Sequence, residues 1–354
     1  MKRKLLGVAA LLVSVSLLAP AGMAQSFDIV KVADGVYAAI GKPGVLSNGA
    51  FIVNKDDVLV VDTHFRPSWA KDLIAEIRKI TNKPVRYVVN THWHNDHVQG
   101  NQSYVSVFGP GVEYIAQHTA REDMVGKAIP SVQEQLTKAV PDRIASTEKM
   151  LAEGKTTSGT PLTEQGRANL TSRLASDKAY LEELKSVQIA LPTITFERSL
   201  VLYKPERTIH ILFFGKGHTR GDVVVFLPKE KVVVTGDLLT NSIPFMRDAY
   251  PSQWVGTLDS VRNLDWNAAA TGHGPVQQGK EQVNRLLAYM TDMVAAVKDA
   301  IGKGLSLEET SASIDLSKHK DSFPAYAGNP QGFAAASKSA VERTWTELSG
   351  KIPN

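Results

Sequence analysis

Apolar residues fall into two rhythms along this chain. Short apolar runs occupy 36–40, 50–53, 58–61 and 85–89, and again 193–203, 208–213, 223–227 and 232–235. Most are four to six residues long and are closed by Asn, Asp, Gly or Pro, which predicts strands buried on both faces. Trp69, Leu73, Ile77 and Ile80 instead recur at helical spacing. An amphipathic helix is therefore predicted over 67–81, ended by Asn82-Lys83-Pro84. After Gly274 the helical rhythm takes over. Val283, Leu287, Met290, Val294, Val297 and Ile301 form one stripe, and Gly302 and Gly304 stop it. Ser306-Leu307-Glu308-Glu309 is a capping-box pattern, and Phe333, Val341, Trp345 and Leu348 mark a last helix.

Residues 119–188 interrupt the strand pattern. They are rich in Ala, Glu, Lys, Gln and Leu, and their leucines predict two helices separated by a turn at 154–161. This is a helical insertion. On either side of it, two apolar runs end on an acid: Val58-Leu59-Val60-Val61-Asp62 and Val232-Val233-Val234-Thr235-Gly236-Asp237. The echo suggests two related halves, each a sheet with helices outside.

Composition adds a compartment and excludes some partners. The net charge of the 354 residues is +4, and Lys2, Arg3 and Lys4 supply three of those charges. They precede an apolar run over 5–19 and the small residues Ala21-Gly22-Met23-Ala24. That is the build of a secretory signal peptide cut after Ala24, too short to be a membrane span. The expected mature protein is periplasmic or secreted, with no stable membrane anchor. It is close to neutral, which gives no electrostatic case for nucleic acid. Cysteine is absent, so an exported chain must rely on its core, on bound metal, or on both.

The chemistry is concentrated at Thr91-His92-Trp93-His94-Asn95-Asp96-His97. Three of the nine histidines and one acid fall here, just after a strand pattern. Imidazole and carboxylate together suit zinc or a similar divalent ion. His218 and His273 sit in glycine-rich turns, Gly217-His218-Thr219 and Gly272-His273-Gly274, where glycine permits a tight bend and an exposed imidazole. Asp237 closes a buried-looking strand. The six residues beside Asp237 would fill two three-ligand sets that a shared carboxylate could bridge. Thr219 is placed to position His218. His64, Phe245, Tyr250 and Trp254 are candidates to line a substrate pocket, while His118, His210 and His319 read as structural or surface residues.

With these motifs in view, the chain resembles the metallo-β-lactamase superfamily of hydrolases from about Val30 to Pro275, across the insertion. The His-x-His-x-Asp-His motif carries the resemblance, followed by Gly-His-Thr, Gly-Asp and Gly-His-Gly. It implies an α+β fold, a four-layer αββα sandwich with two metals at one edge, here spanning 25–275. The helices of 276–354 would pack on the same domain. By position, His92, His94 and His218 would bind one Zn2+, Asp96, His97 and His273 a second, and Asp237 would bridge them. Iron or manganese could replace zinc. Asp62 would support the ligand loop from behind.

Two dications sharing a water lower its pKa toward ~7, giving a hydroxide nucleophile at neutral pH. Asp96 and Asp237 would join directly in that chemistry. The implied function is metal-dependent hydrolysis of an ester, thioester, lactone or amide in a small-molecule substrate. A periplasmic β-lactamase is the alternative. Against it, the cysteine-bridged lactamases have Cys where this chain has Asp237, and a substrate-gripping lysine where it has Thr240. A mononuclear iron dioxygenase of the same fold is disfavoured by the complete ligand set. A metal-dependent binding protein without turnover is the reading from another class.

Overall fold

The computed structural model describes residues 26–352; the expected signal peptide lies outside them. Two sheets face each other. The first runs in sequence order through β1 (Phe27–Ala33), β2 (Val36–Gly41), β3 (Gly49–Val53), β4 (Val58–Val61), β5 (Val85–Val89), β6 (Glu113–Gln117) and β7 (Ile194–Phe196). The second has spatial order β13-β12-β11-β10-β9-β8, with β8 (Ser199–Tyr203), β9 (Thr208–Leu212), β10 (Val224–Leu227), β11 (Val232–Gly236), β12 (Ala268–Thr271) and β13 (Gln277–Gln278). The apolar run at 193–203 is thus two strands, not one. The chain leaves the first sheet after Phe196 and enters the second at Ser199, because Glu197-Arg198 is a polar break where it crosses between sheets.

The period-two alternation of each strand divides its side chains between two cores. Leu59 and Val61 of β4 point between the sheets and meet Val225, Leu227, Val232 and Val234 there. Val58 and Val60 point outward and pack with Leu73 and Ile77 of helix α1 (Pro67–Ile80). On the far side Val224, Phe226 and Val233 meet Trp254 and Leu258 of α8 (Pro251–Asn263), Met290 and Val297 of α9 (Glu281–Gly302), and Val341 of α11 (Pro330–Leu348). Helix, sheet, sheet, helix are the four layers of an αββα sandwich, and the C-terminal helices belong to the last of them. Of the expected stripe on α1, Leu73 and Ile77 are buried, whereas Ile80 at the last turn is exposed. The capping box at Ser306 forms in both directions on α10 (Leu307–Ser313).

The remaining helices lie between β5 and β7. α2 (Asn95–Val98) and α3 (Gln102–Phe108) follow the histidine cluster. The insertion runs helically from α4 (His118–Asp123) through α5 (Ile129–Glu134) to α6 (Val140–Glu153), and α7 (Glu164–Leu184) returns along it. Two π-helical turns, Met124–Ala128 and Gln135–Ala139, join α4 to α5 and α5 to α6. Arg143 grips Asp177 with two hydrogen bonds of 2.8 Å, clamping α6 to α7. Tyr180 on α7 accepts from Gln99 at 2.8 Å and donates to Gln135 at 2.6 Å. The insertion is thereby docked directly behind the histidine cluster. Gly100 makes the tightest approach of this region: a Cβ there would lie 2.0 Å from the Thr63 carbonyl oxygen and 2.7 Å from Ala70. Gly100→Ala is expected to lower stability by about 1–3 kcal/mol, the usual cost of overpacking, read from the urea midpoint.

Candidate metal centre

The site lies at the end of two parallel strand pairs, β4–β5 among the three parallel pairs of the first sheet and β11–β12 in the second. Side chains just beyond their C-terminal ends meet: Asp62 after β4, the histidine cluster after β5, Asp237 after β11 and His273 after β12. Asn48 staples the halves. Its backbone N–H donates to Gly272 O at 2.8 Å, and its side-chain amide donates to Thr271 O and Gly274 O at 3.0 and 2.7 Å.

The structure brings all seven expected ligands together. His92 Nε2 lies 3.1 Å from His94 Nδ1, which lies 2.9 Å from His218 Nε2. His97 Nε2 is 3.4 Å from both Asp96 Oδ2 and Asp237 Oδ1. His273 Nε2 is 3.5 Å from Asp96 Oδ2 and 3.2 Å from Asp237 Oδ2. Asp237 Oδ2 also lies 3.4 Å from His218 Nε2, so this carboxylate stands between the two groups. Glycine at 272 is required here, because a Cβ would fall 2.0 Å from Asp237 Oδ1.

Hydrogen bonds decide which ring nitrogens carry protons. Asp62 accepts from the Thr91 backbone N–H at 2.8 Å and from the Thr91 hydroxyl at 2.7 Å. That hydroxyl has no second proton to give, so His92 Nδ1, 3.0 Å away, must donate to it. Asp62 Oδ2 also holds His97 Nδ1 at 2.8 Å, and Asp248 Oδ2 holds His94 Nε2 at 3.1 Å. A carboxylate only accepts, so both nitrogens are protonated. The opposite nitrogens of the first pair, His92 Nε2 and His94 Nδ1, are left with lone pairs directed inward, while His97 Nε2 faces the Asp96 and Asp237 carboxylates. Neutral imidazoles do not set lone pairs against each other at 3.1 Å without something to share between them. Buried His97 Nε2 and Asp237 Oδ1 have no hydrogen-bond partner. Donors held by one zinc at ~2 Å in a tetrahedron sit roughly 3.3 Å apart. The residues present therefore fit a metal.

Electrostatics agree. Burial, with His97 and His94 alongside, holds His92 well below its ordinary pKa, and burial pushes His218 down to about 3. Against burial, Asp96, Asp237 and Asp62 raise His97 well above its usual value. Burial also opposes ionisation of Asp96 and Asp237, yet the neighbouring histidines bring Asp96 to about 2 and hold Asp237 well below the carboxylate range.

Several expectations change. The glycines beside His218 do not expose it: it is buried, and only His94, Asp96 and His273 are partly open to solvent. Glycine there allows close packing instead. Trp254 is fully buried with its ring 5.7 Å from that of His218, so it backs a candidate ligand and lines no pocket. Tyr250 is buried beneath Lys216 and Arg343. His64, at positive φ, is fully buried against Phe27 with ring centroids 4.3 Å apart. Only Phe245 of the four pocket candidates reaches the cleft, and it is exposed there. Thr219 turns its N–H and hydroxyl to Asp222, at 2.8 and 2.9 Å, and so braces the His218 loop. His118 and His210 lie away from the cluster, and His319 pairs with Asp292 at 2.9 Å.

Thr91 and Asp248 are functional residues that the sequence did not single out. Thr91 carries a signal in its adjacency to His92. Asp248 carries none, since its contact with His94 spans 154 positions. The insertion also reaches the site. Buried Asp123 accepts from Arg220 at 2.9 and 3.0 Å, tying α4 to the His218 loop.

A two-sheet sandwich with paired His/Asp clusters at the ends of its parallel strands defines a class of metal-site proteins. Comparison with known proteins names it. Residues 43–273 match the model of the metallo-beta-lactamase superfamily, and the chain belongs to that family. It is 24% identical over 285 residues to a linear primary-alkylsulfatase of Pseudomonas, covering 77% of this chain, and it spans about half (50%) of that relative's length. It is 22% identical over 238 residues to a type 2 metallo-beta-lactamase of Bacillus, covering 66% of this chain and 68% of the other. Among solved structures it is similar to a metallo-beta-lactamase from Pontibacter korlensis, with TM-score 0.53 and 17% identity over 75% of this chain and 99% of that one. It is similar also to a mono-zinc lactamase of Pseudomonas aeruginosa, with TM-score 0.51 and 19% identity over 75% and 95%. These structural likenesses concern the fold.

Two outcomes follow for the protein. Asp248→Ala frees the His94 ring and is expected to weaken zinc binding about 10–100-fold, the usual effect of losing an outer partner, as measured by competition with a chromogenic chelator. For pH, burial lowers His64 to about 3, below the ~6.5 of an unfolded chain. The unfolded state then binds the extra proton, so stability falls as pH drops from ~6.5 toward 3, by about 1.4 kcal/mol per pH unit. His64→Asn, which tolerates the positive φ, should flatten the urea-stability slope of metal-free protein between pH 6 and 4 by about that amount.

Proposed function

We propose that this chain is a hydrolase with a dinuclear zinc centre, acting on an ester, thioester, lactone or amide of a small molecule outside the cytoplasm. The observation that supports this most is the convergence of imidazole nitrogens and carboxylate oxygens in two sets, with Asp237 between them, at the floor of an open cleft of about 910 Å³. His92, His94 and His218 would hold one ion, Asp96, His97 and His273 the other, and Asp237 both. Metal bound there supplies Lewis acidity and a water acidified toward neutral pH. The chain's own groups do the rest. Asp62, Thr91 and Asp248 fix the tautomers, so the three imidazoles present donors without reorganising. Asp96, partly open to the cleft and ionised, is placed to accept the proton of an attacking water. Burial of His92, His97 and His218 keeps bulk water from the rear of the centre.

The apolar run and small residues of 1–24 favour export with cleavage after Ala24. The lactamase relatives make β-lactam hydrolysis the second reading, and the alkylsulfatase relative adds a sulfate ester to the compounds worth testing. In a panel of lactone, thioester, aryl ester, alkyl sulfate and chromogenic cephalosporin, the zinc-loaded protein is expected to turn over at least one. A chelator should abolish turnover, and zinc should restore it. His94→Ala and Asp237→Ala should each lower kcat/KM on that compound by about a hundredfold or more, by analogy with the loss of a major transition-state contact. Full activity in either variant, or two equivalents of bound zinc with no turnover of any compound, would contradict the proposal.

A further inference from the structure

A row of hydrogen bonds runs from behind the histidine cluster through the insertion to the cleft wall. Gln99, fully buried just after α2, donates from Nε2 to the Tyr180 hydroxyl at 2.8 Å. Tyr180 donates in turn to Gln135 Oε1 at 2.6 Å. Gln135 Nε2 donates to Ser131 Oγ, on α5, at 3.3 Å. A second amide meets the same oxygen: Asn95 Nδ2, between the candidate ligands His94 and Asp96, donates to it at 3.0 Å. Ser131 and Asn95 both line the cleft with the candidate metal ligands.

This order leaves one proton without a taker. A serine hydroxyl has two lone pairs and one proton. Asn95 and Gln135 engage both lone pairs of Ser131, and its proton meets no acceptor among the described residues. The polarity of the row is set by its ends. As it stands, Asn95 Oδ1 and Gln99 Oε1 are buried without partners. Reversing the row would strand the amino group of Gln99 in place of its oxygen, and turning Asn95 over would strand its own. Each change would leave two donors unmet where now one acceptor is.

We propose that Ser131 is a specificity-determining residue whose hydroxyl donates to a carbonyl-type oxygen of the substrate at the insertion wall of the cleft, with Gln135, Tyr180 and Gln99 fixing the direction of that proton. Each donor in the row polarises the next, so the Ser131 O–H is a better donor than an isolated serine. Its direction is set before a substrate arrives, so little rotational freedom is lost on binding. A substrate group that can only donate, such as an ammonium, finds no acceptor at Ser131.

This inference rests on the reading of the cleft as a substrate site at a zinc centre, but its test reads binding, not turnover. Zinc-loaded wild type, Ser131→Ala, Ser131→Thr and Gln135→Glu are titrated calorimetrically with 3-mercapto-N,N-dimethylpropanamide and 4-methylpentane-1-thiol, each also as the homologue one carbon shorter. The paired thiols share their shape and a zinc-binding sulfur, and differ in the acceptor oxygen. Ser131→Ala should cut the preference for amide over alkyl thiol by roughly three- to tenfold, the worth of one hydrogen bond. Ser131→Thr, which keeps the hydroxyl, should restore it. Gln135→Glu removes no hydroxyl, but a carboxylate only accepts, so it draws the Ser131 proton away from the cleft and should cut the preference as Ser131→Ala does. An unchanged preference in either variant, or equal weakening of both thiols, would overturn the proposal. So would a deuteron found by neutron diffraction between Ser131 Oγ and the Asn95 or Gln135 oxygen. If neither thiol binds, the zinc centre is refuted and this inference falls with it. A chain that binds as expected yet turns over nothing would sink the hydrolase reading and leave this one standing.

Discussion

Asp62 is the contact on which the centre depends. Its two oxygens take the Thr91 backbone, the Thr91 hydroxyl and His97, and through that hydroxyl they also set His92. One buried carboxylate therefore fixes the loop after β5 and the proton positions of two candidate ligands. The backbone helps, since Asp62 sits at positive φ (61°), an uncommon conformation that lets the chain turn sharply out of β4. Parallel pairing of β4 and β5 places Asp62 and the cluster at the same sheet end. The second half repeats the device with β11 and β12, which deliver Asp237 and His273. The site exists where two such pairs abut, and Asn48 keeps them from sliding apart.

The electrostatics show what such convergence demands. Three carboxylates surround His97 and raise it well above an ordinary imidazole, while burial, with imidazoles alongside, drives His92 and His218 down. Without metal, a proton on His97 occupies the place between Asp96 and Asp237 that a cation would take. Metal binding at these residues would then exchange one or more protons for a dication. That makes affinity rise with pH through the range where those protons are released.

How much was legible follows from distance along the chain. The histidine cluster is local, and strands buried on both faces leave continuous apolar runs, so the sandwich and the candidate ligands could be read from order and spacing. The crossing at Glu197-Arg198 could not be read as firmly, because a strand pattern does not say to which sheet it belongs. Orientation was the larger gap. Tyr250, Trp254 and His64 all lie near the centre, as their positions suggest, but each faces away from the cleft into packing. Position after a ligand motif brings a residue close; helix phase and φ decide where it points. Asp248 is the converse case, an acid in an irregular loop whose role appears only when the loop is folded over His94.

The insertion supplies what the sandwich lacks. A bare sheet end would leave His94 and Asp96 facing open solvent. Here the helical run from 118 to 153 covers that side, anchored by Asp123 to the His218 loop and by Tyr180 and Gln99 to the segment behind the cluster. The first of its two π turns widens the helix where it passes the cleft, and the residues in and just after that turn, Lys127, Pro130, Ser131 and Glu134, line the cleft. The sandwich thus fixes the donors, and the insertion and the loop after Asp237 shape the space in front of them. Those two segments, where Lys127, Phe245 and Arg247 line the cleft, can therefore vary in shape and charge without disturbing the candidate ligands.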